Sequence, residues 1–254
     1  MGERKRVLVT IKTYPQPSRS HQELVCTAGV LDDGSFIRLY PVNFRYRPYW
    51  QWYKKYEWIE AEVEKNQDDP RRESYRPNLE TIHPTGEWID TKKNWAKRKP
   101  YVLPLVSRSM EELRERQEAE NVSLGIIKPK EISALIVEPD EPDWKPKHQE
   151  LFRQLKLFGP EQKTLEKIPF KFSYKFTCDD PRCNGHQMMI EDWELGQLYL
   201  SMRDKHGGPE IAAEKVRQKF YDQMCAADRD TYFFVGTVAR YGTWIVLGVF
   251  WPKR

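Results

Sequence analysis

The sequence has few cysteines and lacks any long apolar run. Only four of its 254 residues are cysteine, and their uneven spacing is typical of metal ligands, buried thiols or redox groups rather than of a disulfide framework. No segment approaches the roughly 18 apolar residues of a membrane-spanning helix, and the first residues lack the apolar core of a signal peptide. The composition therefore predicts a cytoplasmic protein without membrane contact.

Motifs of the common enzyme classes are also missing. The chain contains no phosphate-binding glycine loop, no GxSxG nucleophile elbow and no HExxH zinc motif. This absence favours a binding protein over an enzyme, although it leaves the question of catalysis open.

Charge is nearly balanced over the whole chain but not within its first part. The formal net charge is +4, whereas residues 1–100 hold 19 Lys and Arg against 14 Asp and Glu. Binding of a polyanion depends on a local excess of positive charge more than on the total. Any anion-binding face is therefore expected in the amino-terminal part.

Apolar and β-branched runs separated by turn residues indicate the fold class. In the first part they predict strands over residues 6–14, 23–31, 35–42 and 56–65. Amphipathic and charged segments further on predict helices, one of them beginning with a capping box of Ser109 and Glu112, and apolar runs near the end predict more strands. The predicted fold is α+β, with a small twisted antiparallel β-sheet or partly closed β-barrel, helical insertions and a zinc-knuckle-like carboxy-terminal part.

Composition divides the chain into three parts. A β-rich basic and aromatic part is predicted over residues 1–105, and a helical and proline-rich connection over residues 106–165. An α+β part that holds zinc is predicted over residues 166–254. The two β-rich ends could also form a single domain.

The segment CDDPRCNGHQMMIEDWE, residues 178–194, predicts a metal site. Cys178 and Cys183 are separated by four residues, and Cys183 and His186 by two, which is close to the spacing of zinc-chelating pairs. A tetrahedral site needs a fourth ligand from elsewhere, and we predict Cys225, in a structural zinc site. The alternatives for this position are Cys26, Asp180, His206 or a water molecule, and two reduced thiols without a metal remain a further interpretation.

The carboxylates beside this segment permit a catalytic interpretation. His186, Asp192 and Glu194 could activate water or hold a divalent metal that attacks a phosphodiester. However, Asp192 and Glu194 are two residues apart, which places them on different faces of a helix. At a helix start they are better explained by a favourable interaction with the helix dipole.

A basic aromatic segment is the second candidate site. Residues 43–58, NFRYRPYWQWYKKYEW, place eight aromatic residues among four Arg and Lys, a combination that binds single-stranded nucleic acid by stacking and charge. Half of these rings are expected to pack into the core. The residues predicted to lie on a nucleic-acid-binding surface are Arg45, Arg47, Tyr49, Trp50, Trp52 and Lys54. The basic residues Arg71, Arg72 and Arg76 could extend it.

These patterns predict a nucleic-acid-binding protein with a structural zinc site and a preference for single strands. The alternatives are a metal-dependent nuclease acting on DNA or RNA, and a regulatory subunit that binds a protein partner or a second copy of itself. A nucleotide or modified-base pocket inside the barrel is a further possibility that no motif supports.

Overall fold

The computed structural model describes residues 2–158, 163–238 and 242–254. Its strands in chain order are β1 (Glu3–Lys12), β2 (Gln16–Ser18), β3 (Gln22–Leu31), β4 (Phe36–Val42), β5 (Glu57–Lys65), β6 (Ser74–Pro77), β7 (His83–Trp88), β8 (Val106–Ser107), β9 (Leu124–Ile127), β10 (Glu131–Pro139), β11 (Phe170–Thr177), β12 (His186–Met189), β13 (Tyr232–Thr237) and β14 (Trp244–Phe250). Its helices are α1 (Lys92–Trp95), α2 (Lys99–Val102), α3 (Met110–Glu120), α4 (Pro146–Phe158), α5 (Trp193–His206) and α6 (Pro209–Arg217). No helix within the described ranges is long and apolar enough to cross a membrane.

Five strands of the amino-terminal part close into a β-barrel. They pair in the order β1-β3-β4-β6-β5, and β5 pairs back with β1, while β2 and β7 extend the sheet from β3 and β5. The pairs are antiparallel except β4 with β6, which is parallel. The predicted partly closed sheet is therefore a closed barrel with one parallel pair.

The barrel interior is filled with aliphatic side chains. Val7 lies opposite Leu31 of β3 and Ile59 of β5, and these side chains pack with Ile37 and other buried residues into one cluster. The interior is thus a core. A second hydrophobic cluster covers the outer face of the barrel. Strand β1 is therefore buried on both faces, and polar and apolar residues do not alternate along it.

The chain from β8 onward, called the carboxy-terminal part from here on, contains two smaller sheets. One is the antiparallel sheet β10-β11-β12, and the other has the order β14-β13-β9-β8. Ile11 and Ala28 on the outer face of the barrel pack with Phe234 and Leu247 of the second sheet. The barrel and the carboxy-terminal part therefore share a hydrophobic core, although their strands belong to separate sheets.

Most predicted elements are found close to their predicted bounds. The strands expected over residues 6–14, 23–31, 35–42 and 56–65 correspond to β1, β3, β4 and β5. The overall α+β class is confirmed. The short strands β6, β7 and β9 were not predicted, because each has six residues or fewer and little periodicity.

Candidate functional site

The segment after β11 forms a compact cluster of potential metal ligands. Cys178 and Cys183 lie in the loop between β11 and β12, and His186 begins β12. Gly185 turns the chain back with a φ of +90°, a conformation that favours glycine. The Cys183 Sγ lies 3.2 Å from His186 Nε2. The hairpin therefore brings together the three ligands that were predicted to be local.

The fourth member of the cluster is Glu111, at the start of α3. Its Oε1 lies 3.2 Å from His186 Nε2, and one ligand atom from each of Glu111, Cys178, Cys183 and His186 lies within 4.8 Å of all the others. Ser109 caps α3, as predicted, and its hydroxyl donates to Asp180 at 2.8 Å. This bond fixes the start of α3 against the loop.

Backbone donors surround both sulfurs of the cluster. The amide of Met110 donates to Cys178 Sγ at 3.4 Å, and the amide of Cys178 donates to Cys183 Sγ at 3.2 Å. Burial raises the pKa of Cys178 to about 12.

The Glu111 Oε2 is buried without a hydrogen-bond partner among the described residues. A buried carboxylate oxygen without a donor is unfavourable unless a cation lies beside it.

The donor set fits zinc. Ligand atoms placed 2.0–2.3 Å from a tetrahedral zinc ion are roughly 3.3–3.8 Å apart, so the observed separations of up to 4.8 Å require a contraction of about 1 Å. Two thiolates, an imidazole and a carboxylate leave no open position. A zinc ion held by these four groups would therefore have the closed coordination of a structural site rather than the open position of a catalytic one.

The other predicted fourth ligands lie in different places. The Cys225 Sγ donates to the Phe220 carbonyl at 3.4 Å and is not a member of the cluster. Asp180 accepts from Ser109 and from Arg182, and His206 lies exposed at the end of α5. The structure brings Glu111 into the cluster instead. Sequence spacing gives no signal for Glu111, because it lies 67 residues before Cys178.

The predicted catalytic residues do not form one group. Asp192 is the N-cap of α5 and accepts from the Glu194 amide, which matches the interpretation of these carboxylates as residues of a helix start. Both bind the Lys55 ammonium, Asp192 at 2.6 Å and Glu194 at 3.2 Å. Burial alone would lower the pKa of Lys55, but the two carboxylates raise it. His186 belongs to the cysteine cluster instead.

The basic aromatic segment separates into buried and exposed rings. Phe44, Tyr53, Tyr56 and Trp58 are buried, as the core interpretation predicted for half of the rings. In contrast, Tyr49 is 85% exposed, Trp50 64% and Trp52 38%. We refer to Tyr49, Trp50 and Trp52 as the aromatic trio.

The aromatic trio is anchored on one side. The Trp52 indole donates to the Arg47 carbonyl at 2.8 Å, and its ring lies 5.2 Å from the buried Phe44 ring and 5.7 Å from the Tyr49 ring. Trp52 therefore connects the surface to the core. Tyr49 and Trp50 project outward.

The cations predicted for this surface differ in their availability. Arg45 forms an ion pair with Glu23, whose side chain is only 2% exposed. Arg47 pairs with Glu80 at 2.7 Å, and that carboxylate is 77% exposed. Lys54 is exposed and has no ion pair among the described residues. Arg45 is thus fixed within the fold, and the Arg47 side chain is also largely covered, at 15% exposure, whereas Lys54 is exposed to solvent.

The further basic residues of the predicted surface are all paired. Arg71 binds Asp69 at 2.6 Å, Arg72 binds Glu120 and Arg76 binds Asp68. These pairs reduce the positive potential that a continuous basic track would need.

A buried lysine that sequence analysis did not identify lies beneath the trio. The Lys12 ammonium donates to the Tyr53 carbonyl at 3.2 Å and lies 4.1 Å from the centre of the Phe44 ring and 4.3 Å from that of Trp193. Burial, followed by the nearby Lys55 charge, lowers its pKa to about 7. Lys12 lies within the strand predicted over residues 6–14, and no local pattern indicates its burial.

Together, the fold and the cluster define an α+β protein in which a closed barrel is packed against a carboxy-terminal part that contains a Cys-His-Glu cluster. The chain belongs to the family described as Domain of unknown function (DUF8757), which matches residues 106–254. Residues 3–104 match a second family, described as Domain of unknown function (DUF8758). A comparison with curated proteins finds no match.

Proposed function

We propose that this protein is a cytoplasmic nucleic-acid-binding protein that holds single strands on the aromatic trio. The observation that carries the proposal is the exposure of three large rings within four consecutive residues. Exposed apolar clusters of this kind occur mainly at binding surfaces. Unpaired bases stack on such rings at about 1–3 kcal/mol per base, whatever the base.

The charges around the trio suggest that stacking contributes more than phosphate contacts. Of the cations predicted for this surface, Lys54 is exposed, and the Arg47 side chain, at 15% exposure, would reach a phosphate after its partner Glu80 has moved aside. With two phosphate contacts on a single strand, the logarithm of the binding constant should fall with the logarithm of salt concentration with a slope of about −1.4. A duplex, whose bases are already stacked, should bind more weakly.

We also propose that the cluster of Glu111, Cys178, Cys183 and His186 holds a structural zinc ion. The supporting observations are the close approach of the four ligand atoms and the unpartnered Glu111 oxygen. Zinc at this point would join the start of α3 to the β11–β12 hairpin. Its contribution would be to the folding of the carboxy-terminal part.

Fluorescence anisotropy with labelled single-stranded and duplex DNA and RNA tests the nucleic-acid proposal. We expect single-strand binding with a shallow salt slope, weakened about 5- to 150-fold by Trp50→Ala because one stacking contact is lost. Ile211→Ala is the matched control, since Ile211 is 49% exposed in α6. Equal affinity of Trp50→Ala and the unaltered protein would refute the role of the trio.

A further inference from the structure

A second surface feature is a cleft between the outer face of the barrel and the carboxy-terminal sheet. Its volume is about 650 Å³, which lies within the range of small-molecule sites. Arg38 and Tyr40 of β4 form part of one wall, Ile245 and Leu247 of β14 form part of the opposite wall, and the start of α4 lies at the rim. The aromatic trio does not line it.

The wall of the cleft contains a buried guanidinium that forms no ion pair with a carboxylate of the described residues. Arg38 is 3% exposed. Its Nη1 donates to Cys26 Sγ at 3.2 Å, and its Nη2 donates to the Ser123 carbonyl at 2.9 Å. Its Nε has no partner among the described residues. Glu73 reaches the same Ser123 hydroxyl that Arg38 contacts, but no ion pair between the two is formed.

A buried charge in this situation is unfavourable unless an opposite charge lies close to it. The Glu73 carboxylate reaches Arg38 only through the Ser123 hydroxyl, so an anion in the cleft would give the guanidinium a direct partner of opposite charge. The guanidinium fork matches carboxylate and phosphate groups in particular.

The other charged residues of the cleft also favour an anionic ligand. Arg19 and Lys147 are exposed at the rim, and His148 lies beside them. Glu191 is the one acidic residue among the described residues that line the cleft. Burial raises its pKa to about 7, so it carries a proton for much of the time near neutral pH. The cleft is therefore positive, which favours a doubly charged phosphate over a single carboxylate.

Much of the remaining wall is apolar. Leu24, Val238, Ile245 and Leu247 offer aliphatic surface, and Tyr40 adds a ring. An inorganic ion would leave this surface in contact with water, whereas an organic body would cover it.

We propose that the cleft binds a small organic phosphate of nucleotide size, with the phosphate paired to Arg38 and the organic body against the apolar wall. The site is separate from the aromatic trio and would be present whether or not that surface binds nucleic acid. The ligand could be a free nucleotide or the phosphorylated end of a strand.

Calorimetric titration of the full chain tests this proposal. The probes are nucleoside 5′-monophosphates, the matching nucleosides without phosphate, and inorganic phosphate. We expect the monophosphates to bind, and the nucleosides and inorganic phosphate to bind at least about tenfold more weakly. The nucleosides lack the phosphate that pairs with Arg38, and inorganic phosphate lacks the organic body that covers the apolar wall. Binding should also slow the alkylation of Cys26 by iodoacetamide, measured by mass spectrometry, since Cys26 lines the cleft.

Two variants locate the binding. Arg38→Gln should weaken the monophosphate about tenfold or more through loss of a charged donor. Because Arg38 is buried and could affect folding, the double variant Arg19→Ala with Lys147→Ala provides a second test at two exposed positions, with an expected loss of several-fold. Ile211→Ala serves as the control and should bind as the unaltered chain does.

The outcomes separate the possibilities. Displacement of the mononucleotide by a 5′-phosphorylated oligonucleotide, but not by its unphosphorylated form, would assign the site to strand ends, and absence of displacement would assign it to free nucleotides. Equal binding of inorganic phosphate and nucleotide, equal binding of nucleoside and nucleotide, or no binding of any probe would overturn the proposal. So would unchanged binding by a folded Arg38→Gln and by the double variant.

Discussion

Replacement of Lys12 by methionine should stabilise the protein near neutral pH. Lys12 is only 6% exposed, and its folded-state pKa falls from 10.5 to about 7 because of burial and the neighbouring Lys55, despite the opposing charges of Glu194, Asp192 and Glu57. The unfolded chain therefore binds more protons than the folded chain between these two values. Stability should rise with pH in that window.

The size of the effect follows from the same contacts. A full shift of this kind would make the folded state about 4 kcal/mol less stable at pH 7 than at the upper end of the window, with a slope of up to about 1.4 kcal/mol per pH unit. The ring faces of Phe44 and Trp193 offset part of this, since each cation–π contact contributes about 0.5–2 kcal/mol. We therefore expect the free energy of unfolding of the unaltered protein to rise by about 1–2 kcal/mol between pH 7 and pH 9.

Urea denaturation of the unaltered chain and of Lys12→Met over this pH range provides the assay. The variant should be more stable by about 1–2 kcal/mol at pH 7, and the difference should shrink as pH rises. Thiols such as Cys178 and Cys225 titrate in both proteins, so the comparison isolates Lys12. Parallel stability profiles, or a variant that is less stable at every pH, would refute the reasoning.

Three further predictions concern other parts of the molecule. Metal analysis of the purified protein should find one equivalent of zinc, which is lost in Cys183→Ser and kept in Cys225→Ser. Removal of zinc by a chelator should lower the melting temperature. Retention of zinc by Cys183→Ser would contradict the proposed site. Arg45→Ala should cost about 2–3 kcal/mol of stability at pH 9, because it leaves the buried Glu23 carboxylate unpaired. Burial already raises the pKa of Glu23 to about 7, so this loss should grow as pH rises and largely disappear near pH 5, and denaturation at both pH values checks it. Gly29→Ala should cost about 3 kcal/mol, since a Cβ there would lie 2.1 Å from the Leu8 carbonyl oxygen; Gly208→Ala, where the nearest contact would be 3.6 Å, is the control in the same melting assay.

Local patterns of the sequence predicted most of the long elements and the proximity of Cys178, Cys183 and His186. The long strands of the barrel and the cap of α3 by Ser109 depend on residues close together in the chain, so periodicity and capping rules identify them. Cys178, Cys183 and His186 also lie close together in the chain, and their role as metal ligands stays a prediction. The division of the aromatic segment into buried and exposed rings was also foreseen in outline.

Contacts between distant segments could not be read from these patterns. Glu111 reaches His186 because α3 packs against the β11–β12 loop, and Arg45 pairs with Glu23 because β3 lies beside the segment that follows β4. A cation in a basic aromatic run can therefore be predicted to bind a ligand although it forms an ion pair within the fold. The cleft at Arg38 also depends on how the barrel packs against β13 and β14, which no local signal reports.

The most direct test of the central claim is ultraviolet crosslinking of the protein to a single-stranded oligonucleotide, followed by mass spectrometry of the crosslinked peptides. We predict that the main crosslinked peptide contains Tyr49, Trp50 and Trp52, and that the crosslink is lost in a Tyr49→Ala and Trp50→Ala double variant. Crosslinks confined to another surface, or the absence of any crosslink in low salt, would contradict the proposal that the aromatic trio binds nucleic acid.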